Sequence, residues 1–321
     1  MASDRPPQSR SDVARYYDAN TARFLRRGHG RKAGAIHRAV WTQRAQTREE
    51  AMHGVDARIL REVHRLRAAS VLDLGCGVGG SMLYLAERCA VRLHGITLSG
   101  VQADIGERFF REAGIADRCR IQRGDFLDPQ TYRLWNERSR PPRLAYAVES
   151  FTHARDASSF FRAVTAALAP GDGLVLCDDF LTPRARTILV NPGRRSDAGP
   201  GESESARSAR LRRRARRRLE EHRTGWHAHN RVTPDEARGL AGGFGFRLRG
   251  AVDLTPHLEL DRPRDLFIRA VVALGRRLPI RGSAWENMLG GNALQLCLKA
   301  DLMRYLMLFF EKTEAPQHTV R

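Results

Sequence analysis

Three short stretches of this chain carry residue types that could act together chemically. The first, Asp73-Leu-Gly75-Cys-Gly77-Val-Gly79-Gly80, follows an apolar run and precedes helix-forming residues. Its glycines would let the backbone approach a ligand at the carboxyl end of a strand. Gly75, Gly77 and Gly80 meet the G-x-G-x-x-G spacing, which a nicotinamide or flavin site would meet equally well. Two details tilt the choice. Asp73 stands two residues before the first glycine, where a dinucleotide fold has an apolar residue, and a carboxylate there suits a ligand with an ammonium group. The acid expected about 20 residues further on for a dinucleotide ribose is missing, because the second apolar run ends in Gly95-Ile-Thr-Leu-Ser99. The second stretch, Gly124-Asp125-Phe126, offers a carboxylate for an adenine amino group and a ring to pack on the base. Together these features read as a site for S-adenosylmethionine.

The third stretch, Ala147-Val-Glu149-Ser-Phe-Thr-His153, follows a further apolar run, so Glu149 falls just beyond the carboxyl end of a sheet strand. A carboxylate there can stabilise a carbocation and then remove its proton. His153 is open to two readings, as an orienting group or as a general base for an oxygen or nitrogen acceptor. Tyr17, Phe24, Trp41, Phe151 and Phe180 could lend ring faces to a cation, against the plain alternative that they pack in the core. Asp178-Asp179 could hold a solvated Mg²⁺, but a salt bridge is the simpler expectation.

The elements that must position these residues follow from the alternation of short apolar runs and amphipathic stretches, which builds a parallel sheet through βαβ crossovers. Strands are expected at Ser70 to Leu74, Val91 to Ile96, Arg120 to Arg123, Leu144 to Val148 and Gly173 to Cys177. Two more, near Phe246 to Val252 and Leu302 to Phe310, come after the alternation stops and suggest an antiparallel edge. Helical material with Trp285 and a flexible Gly290-Gly291 separates them. A helix over Val101 to Ala113 should bury Val101, Ile105 and Phe109, and another should bury Phe160, Phe161, Val164, Ala167 and Leu168. Before the sheet, residues 1–12 read as a disordered lead and 13–55 as a helical cap. Residues 56–183 and 232–313 form the α/β core, 184–231 an arginine-rich insertion or lid, and 314–321 a tail.

The segment around Asp73 to Gly80 resembles motif I of class I S-adenosylmethionine-dependent methyltransferases, which implies a Rossmann-like seven-stranded fold. Gly95-Ile-Thr-Leu-Ser-Gly-Val-Gln102 is similar to the segment that follows it in the sterol, tocopherol, cyclopropane-fatty-acid and prenyl-diphosphate methyltransferase group. Tyr16-Tyr17-Asp-Ala-Asn20-Thr21, with His37 and Trp41, resembles the aromatic N-terminal region of those enzymes. The resemblance implies that Tyr16, Asp73, Gly75, Gly77, Thr97, Leu98, Gln102, Asp125 and Phe126 line the cofactor. It also implies that Glu149 lies near the methyl-acceptor carbon, with His153 and Tyr17 beside it. Asn20, His37, Arg38, Trp41, Phe151 and Phe180 would then meet the substrate. The expected activity is methylation of an alkene carbon of a geranyl or farnesyl diphosphate, with Mg²⁺ entering only through the diphosphate. The alternative is an O- or N-methyltransferase of a small natural product with His153 as base.

Composition bounds these readings. The 321 residues, 42% hydrophobic and 28% charged, exclude a fibrous or wholly disordered chain. The formal charge of +19 rests on arginine, since Lys32, Lys299 and Lys312 are the only lysines. Such a balance favours anionic partners, a diphosphate head among them. Between Arg184 and Glu221 stand twelve arginines. Over Arg207 to His222 they could form a helix with Leu211, Ala215 and Leu219 on one stripe, most simply a solvated face. Nucleic-acid binding is the competing class, disfavoured because no recognised RNA module or base-methylation motif is present. Five widely spaced cysteines without a CxxC pair, no apolar leader and no membrane-length apolar run point to a cytoplasmic protein, with a homo-oligomer compatible.

Overall fold

The computed structural model describes residues 37–43, 45–190, 206–276, 278–280 and 282–314. Seven strands form one sheet: β1 (Ser70–Leu74), β2 (Arg92–Thr97), β3 (Cys119–Arg123), β4 (Arg143–Val148), β5 (Gly173–Leu181), β6 (Phe246–Asp253) and β7 (Met303–Lys312). Their order is β3-β2-β1-β4-β5-β7-β6, parallel from β3 to β5, with β7 antiparallel to both β5 and β6. This is the class I methyltransferase arrangement. β1 and β5 are buried at every residue, as expected of parallel strands covered on both faces.

Strand β5 runs four residues past the Cys177 end that its apolar run suggests. β7 pairs with its whole length, matching Asp178 to Leu306 and Asp179 to Tyr305. Two aspartates read locally as a strand end, and only the pairing partner keeps them extended.

The helices described are α1 (Arg48–Met52), α2 (Asp56–Leu66), α3 (Gly80–Ala86), α4 (Gly100–Glu112), α5 (Arg133–Arg138), α6 (Ala157–Val164), α7 (Pro183–Val190), α8 (Ala206–Gly225), α9 (Pro234–Gly243), α10 (Pro263–Gly275) and α11 (Ser283–Lys299). One face of the sheet packs Val71, Tyr146, Cys177 and Tyr305 against α2, α8 and α11. The other packs Leu72, Leu176 and Leu308 against the Phe151, Phe160, Phe161 and Phe180 cluster.

Helix α4 corrects one expectation. It buries Gln102, Ala103, Gly106 and Phe110 rather than Val101, Ile105 and Phe109, and Val101 is exposed. The reason is Gly106: a Cβ there would stand 2.2 Å from Ile121 Cδ1 and 2.8 Å from Val78 O, so the helix seats on its glycine. Gly290-Gly291 is likewise helical, inside α11, and not a flexible break. The arginine helix forms as α8, burying Ala215, Leu219 and His222 while Leu211 is exposed.

Candidate functional site

The carboxyl ends of β3, β2, β1 and β4 lie side by side, and the strand order reverses between β1 and β4, where α/β sheets open a crevice. At the end of β1 the turn carries Gly75, Gly77 and Gly79 at φ 92°, 56° and 80°, the left-handed region that glycine adopts without a Cβ penalty. A Cβ on Gly75 would also lie 2.5 Å from that of Ser150.

Asp73 is buried and accepts a hydrogen bond from Tyr146 Oη at 2.8 Å. Burial raises its pKa to about 7, with nearby Asp56 adding to the rise and Tyr146 and His37 opposing it. A carboxyl so poised gains from a cationic partner. Thr97 donates to Gln102 Oε1 at 2.8 Å, and the Ser99 side chain accepts from Gln102 N at 3.1 Å, fixing the start of α4. Leu98 beside them is half-buried. Asp125 closes its own turn by accepting from Leu127 N at 2.8 Å, and the Phe126 ring packs edge-on against Phe160. Acceptor carboxyls thus stand at the ends of β1 and β3, about 10 Å apart across β2, with the glycine turn at one of them. That spacing of acceptors fits a cofactor with an ammonium at one end and an amino-bearing base at the other.

Beyond β4, Glu149 itself takes φ 51°, and its N–H donates to Cys177 O at 2.9 Å. Ser150 donates from Oγ to Leu74 O, which ties the end of β4 to the glycine turn. Glu149 Oε1 accepts from Arg38 N and from Tyr305 Oη, both at 3.0 Å. Oε2 has no hydrogen-bond partner among the described residues. One carboxylate oxygen is therefore anchored.

Arg38 forms a bidentate pair with Asp179, lies 3.5 Å from Glu149 Oε1 and stacks over the Tyr305 ring at 4.4 Å. Asp179 and Tyr305 face each other across the β5–β7 ladder, so that pairing builds the clamp. Asp178 accepts from Thr152 N and Asp179 N, and burial raises its pKa to about 8. Asp179 thus closes the salt bridge expected of the pair, while Asp178 is held by backbone N–H groups.

His37 ion-pairs with Asp56 at 3.3 Å, and Asp56 also meets His53 Nδ1 at 2.8 Å. Burial opposes the His37 charge, but Asp56 outweighs it and holds the imidazole at about 9. His37 and Arg38, expected to meet substrate, are therefore engaged by carboxylates of the protein. Trp41 is half-buried against Ala39, Ala51 and Met52; its backbone N–H donates to His257 O at 2.8 Å, and its indole Nε1 has no hydrogen-bond partner among the described residues. Phe151 and Phe180, also expected at the substrate, are 2% and 1% exposed. They pack on one another in the core, where they support the site without facing it. Tyr16, Tyr17, Asn20 and Phe24 lie outside the described residues.

His153 is mostly buried with Nδ1 3.3 Å from His227 O, and burial lowers its pKa to about 4. His222, which the sequence did not single out, is buried on α8, within electrostatic reach of Asp179, Arg38 and His153. It is 1% exposed, burial lowers its pKa to about 4, and its Nδ1 has no hydrogen-bond partner among the described residues. Tyr305, Asp56 and His222 have no local signal, because each acquires its role from a distant segment. Among the described residues no group of His, Cys, Asp and Glu is arranged to hold a metal ion. Two surface cavities lie elsewhere, about 260 Å³ at Arg92, Arg118 and Trp135 and about 370 Å³ between α7 and α8.

A family model described as a methyltransferase domain matches residues 40–249. A probable chloroplastic tocopherol O-methyltransferase from Oryza sativa subsp. japonica is 36% identical over 127 residues, 37% of this chain and 32% of that protein. A geranyl diphosphate 2-C-methyltransferase from Streptomyces lasalocidi is 32% identical over 136 residues, 36% of this chain and 45% of that protein. The match thus spans less than half the length of either relative. A solved geranyl diphosphate C-methyltransferase from Streptomyces coelicolor A3(2), in complex with Mg²⁺, geranyl diphosphate and S-adenosyl-L-homocysteine, shares the fold. Its TM-score is 0.58 at 19% identity, over 96% of this chain and all of that one. With the family model covering most of the sheet and the glycine turn at its switch point, the chain belongs to the methyltransferase-domain family, as a class I S-adenosylmethionine-dependent methyltransferase domain.

Proposed function

We propose that this protein methylates an alkene carbon of an isoprenoid diphosphate, with Glu149 meeting the carbocation and removing its proton. The observation that carries this reading is the Glu149 carboxylate, anchored through Oε1 by Arg38 and Tyr305, with no partner for Oε2 among the described residues. The bound cofactor supplies an electrophilic methyl group on sulfur. The alkene's electron pair forms the new carbon–carbon bond as the carbon–sulfur bond breaks. The positive charge left on the neighbouring carbon is stabilised by Glu149, and loss of a proton to its Oε2 restores a neutral alkene. The geranyl diphosphate methyltransferases among the relatives support the substrate class. The diphosphate calls for cationic groups, and Arg38 is already neutralised by Asp179.

His153 as a general base is disfavoured by its pKa of about 4, at which it takes up a hydroxyl proton poorly at neutral pH.

Methyl-labelled S-adenosylmethionine incubated with geranyl, farnesyl and geranylgeranyl diphosphates, with and without Mg²⁺, tests the reading. We expect one added methyl on carbon. Glu149→Gln should cut turnover by roughly 10²–10⁴-fold while the cofactor still raises the unfolding temperature. Cofactor binding without transfer to any diphosphate would overturn the substrate class, and an active Glu149→Gln would overturn the role of the carboxylate.

A further inference from the structure

Five of the ten large hydrophobic side chains exposed among the described residues lie within 266–280: Leu266, Phe267, Leu274, Leu278 and Ile280. They cluster because α10 is turned outward on its apolar side. Leu266, Phe267, Ala270, Ala273 and Leu274 share one face and are all exposed, Phe267 at 69%, while Asp265 and Val272 are buried. A surface helix ordinarily does the reverse, and contiguous exposed apolar surface marks an interaction site.

Beside this face runs a cationic one. On α8, Arg207, Arg210, Arg214 and Arg217 recur at helical spacing and are exposed, with Arg213 next to them. Arg217 lies 3.7 Å from Glu221, whereas Arg207, Arg210, Arg213 and Arg214 form no ion pair among the described residues. Both helices pack against α11, and Arg276 at the end of α10 bonds Glu221 of α8 at 2.5 Å. The apolar face and the arginine stripe thus belong to one layer of helices.

We propose that α8 and α10 form a docking surface for an anionic lipid bilayer. Phe267, Leu274 and their neighbours enter the acyl boundary while the arginines meet the headgroup phosphates. A second copy of the chain fits less well, because a two-fold contact over this layer would bring arginine stripe toward arginine stripe. A nucleic acid would satisfy the arginines and leave the apolar face of α10 in water.

The test is sedimentation of the full chain with vesicles of phosphatidylcholine alone or mixed with phosphatidylglycerol. Binding to the mixed vesicles is expected and should weaken as salt rises. Arg210→Gln with Arg214→Gln should lower the partition coefficient roughly five-fold for each arginine removed. Phe267→Glu with Leu274→Glu should abolish binding even at low salt, with the unfolding temperature retained. Failure of the unaltered protein to bind the anionic vesicles, or binding indifferent to Phe267→Glu/Leu274→Glu, would overturn the proposal. Self-association by light scattering that the same double substitution removes would assign the face to a second copy instead.

Discussion

Asp56 shows how a single buried residue can fix the chemistry around it. It is fully buried, receives His37 and His53, and their attraction, against the cost of burial, holds its carboxyl below the usual carboxylate range. Its partner His37 stands at about 9 instead of 6.5. A raised histidine stabilises the fold fully below pH 6.5 and loses that contribution as pH rises through 9. The wild-type protein should therefore lose up to about 3 kcal/mol of stability across that window, from about 1.4 kcal/mol per pKa unit. A His37→Gln variant should lose far less of its own stability over the same range. Urea unfolding at both pH values measures this, and equal slopes for the two proteins would refute the ion pair. At this scale the sequence singled out Asp73, Gly75, Gly77, Asp125 and Glu149 as candidates, because their types and spacing carry a local pattern. It did not identify Asp56, Tyr305 or His222, because a buried charge partner is chosen by contact across the fold.

Among the elements, α8 and α11 pack where the sequence suggested only a solvated helix and a glycine break. Their axes approach closely because both lack a side chain at the crossing: a Cβ on Gly225 would lie 2.3 Å from Glu286 O, and one on Gly290 would lie 2.5 Å from Trp226 Cδ1. Gly290→Ala would gain about 1 kcal/mol in helix propensity, but overpacking at this crossing should cost about 1–3 kcal/mol or more. We expect net destabilisation in urea unfolding, whereas a more stable Gly290→Ala protein would show that the crossing is loose. The strands were far more legible than the helix faces. All seven lie close to their expected positions, because a short apolar run bounded by glycine or polar residues leaves few alternatives. The buried side of α4 was misread because the decisive residue, Gly106, has no hydrophobicity to count.

Taken whole, the molecule carries a formal charge of +19. Its surface arginines repel one another, and added salt screens that repulsion. The unfolding temperature should therefore rise as ionic strength goes from a few millimolar to about 0.15 M. A fall would mean that surface pairs such as Arg48–Glu259 and Arg247–Glu311 outweigh the net charge. No helix among the described residues is long and apolar enough to cross a membrane.

The sequence by itself determined the strand runs, the cofactor turn and the place of Glu149 after β4, because each is written in residues close together along the chain. Only the tertiary structure decided which groups hold Glu149. Arg38 and Tyr305, which bond it, and Asp179, which pairs with Arg38, come from the segment before α1, the last strand and the end of β5, and β5–β7 register brings the latter two together. It also decided that Phe151 and Phe180 pack inward and that α10 turns its apolar face outward. A strand or a glycine turn is set by local sterics and periodicity, whereas burial and ion pairing depend on neighbours supplied from elsewhere in the chain.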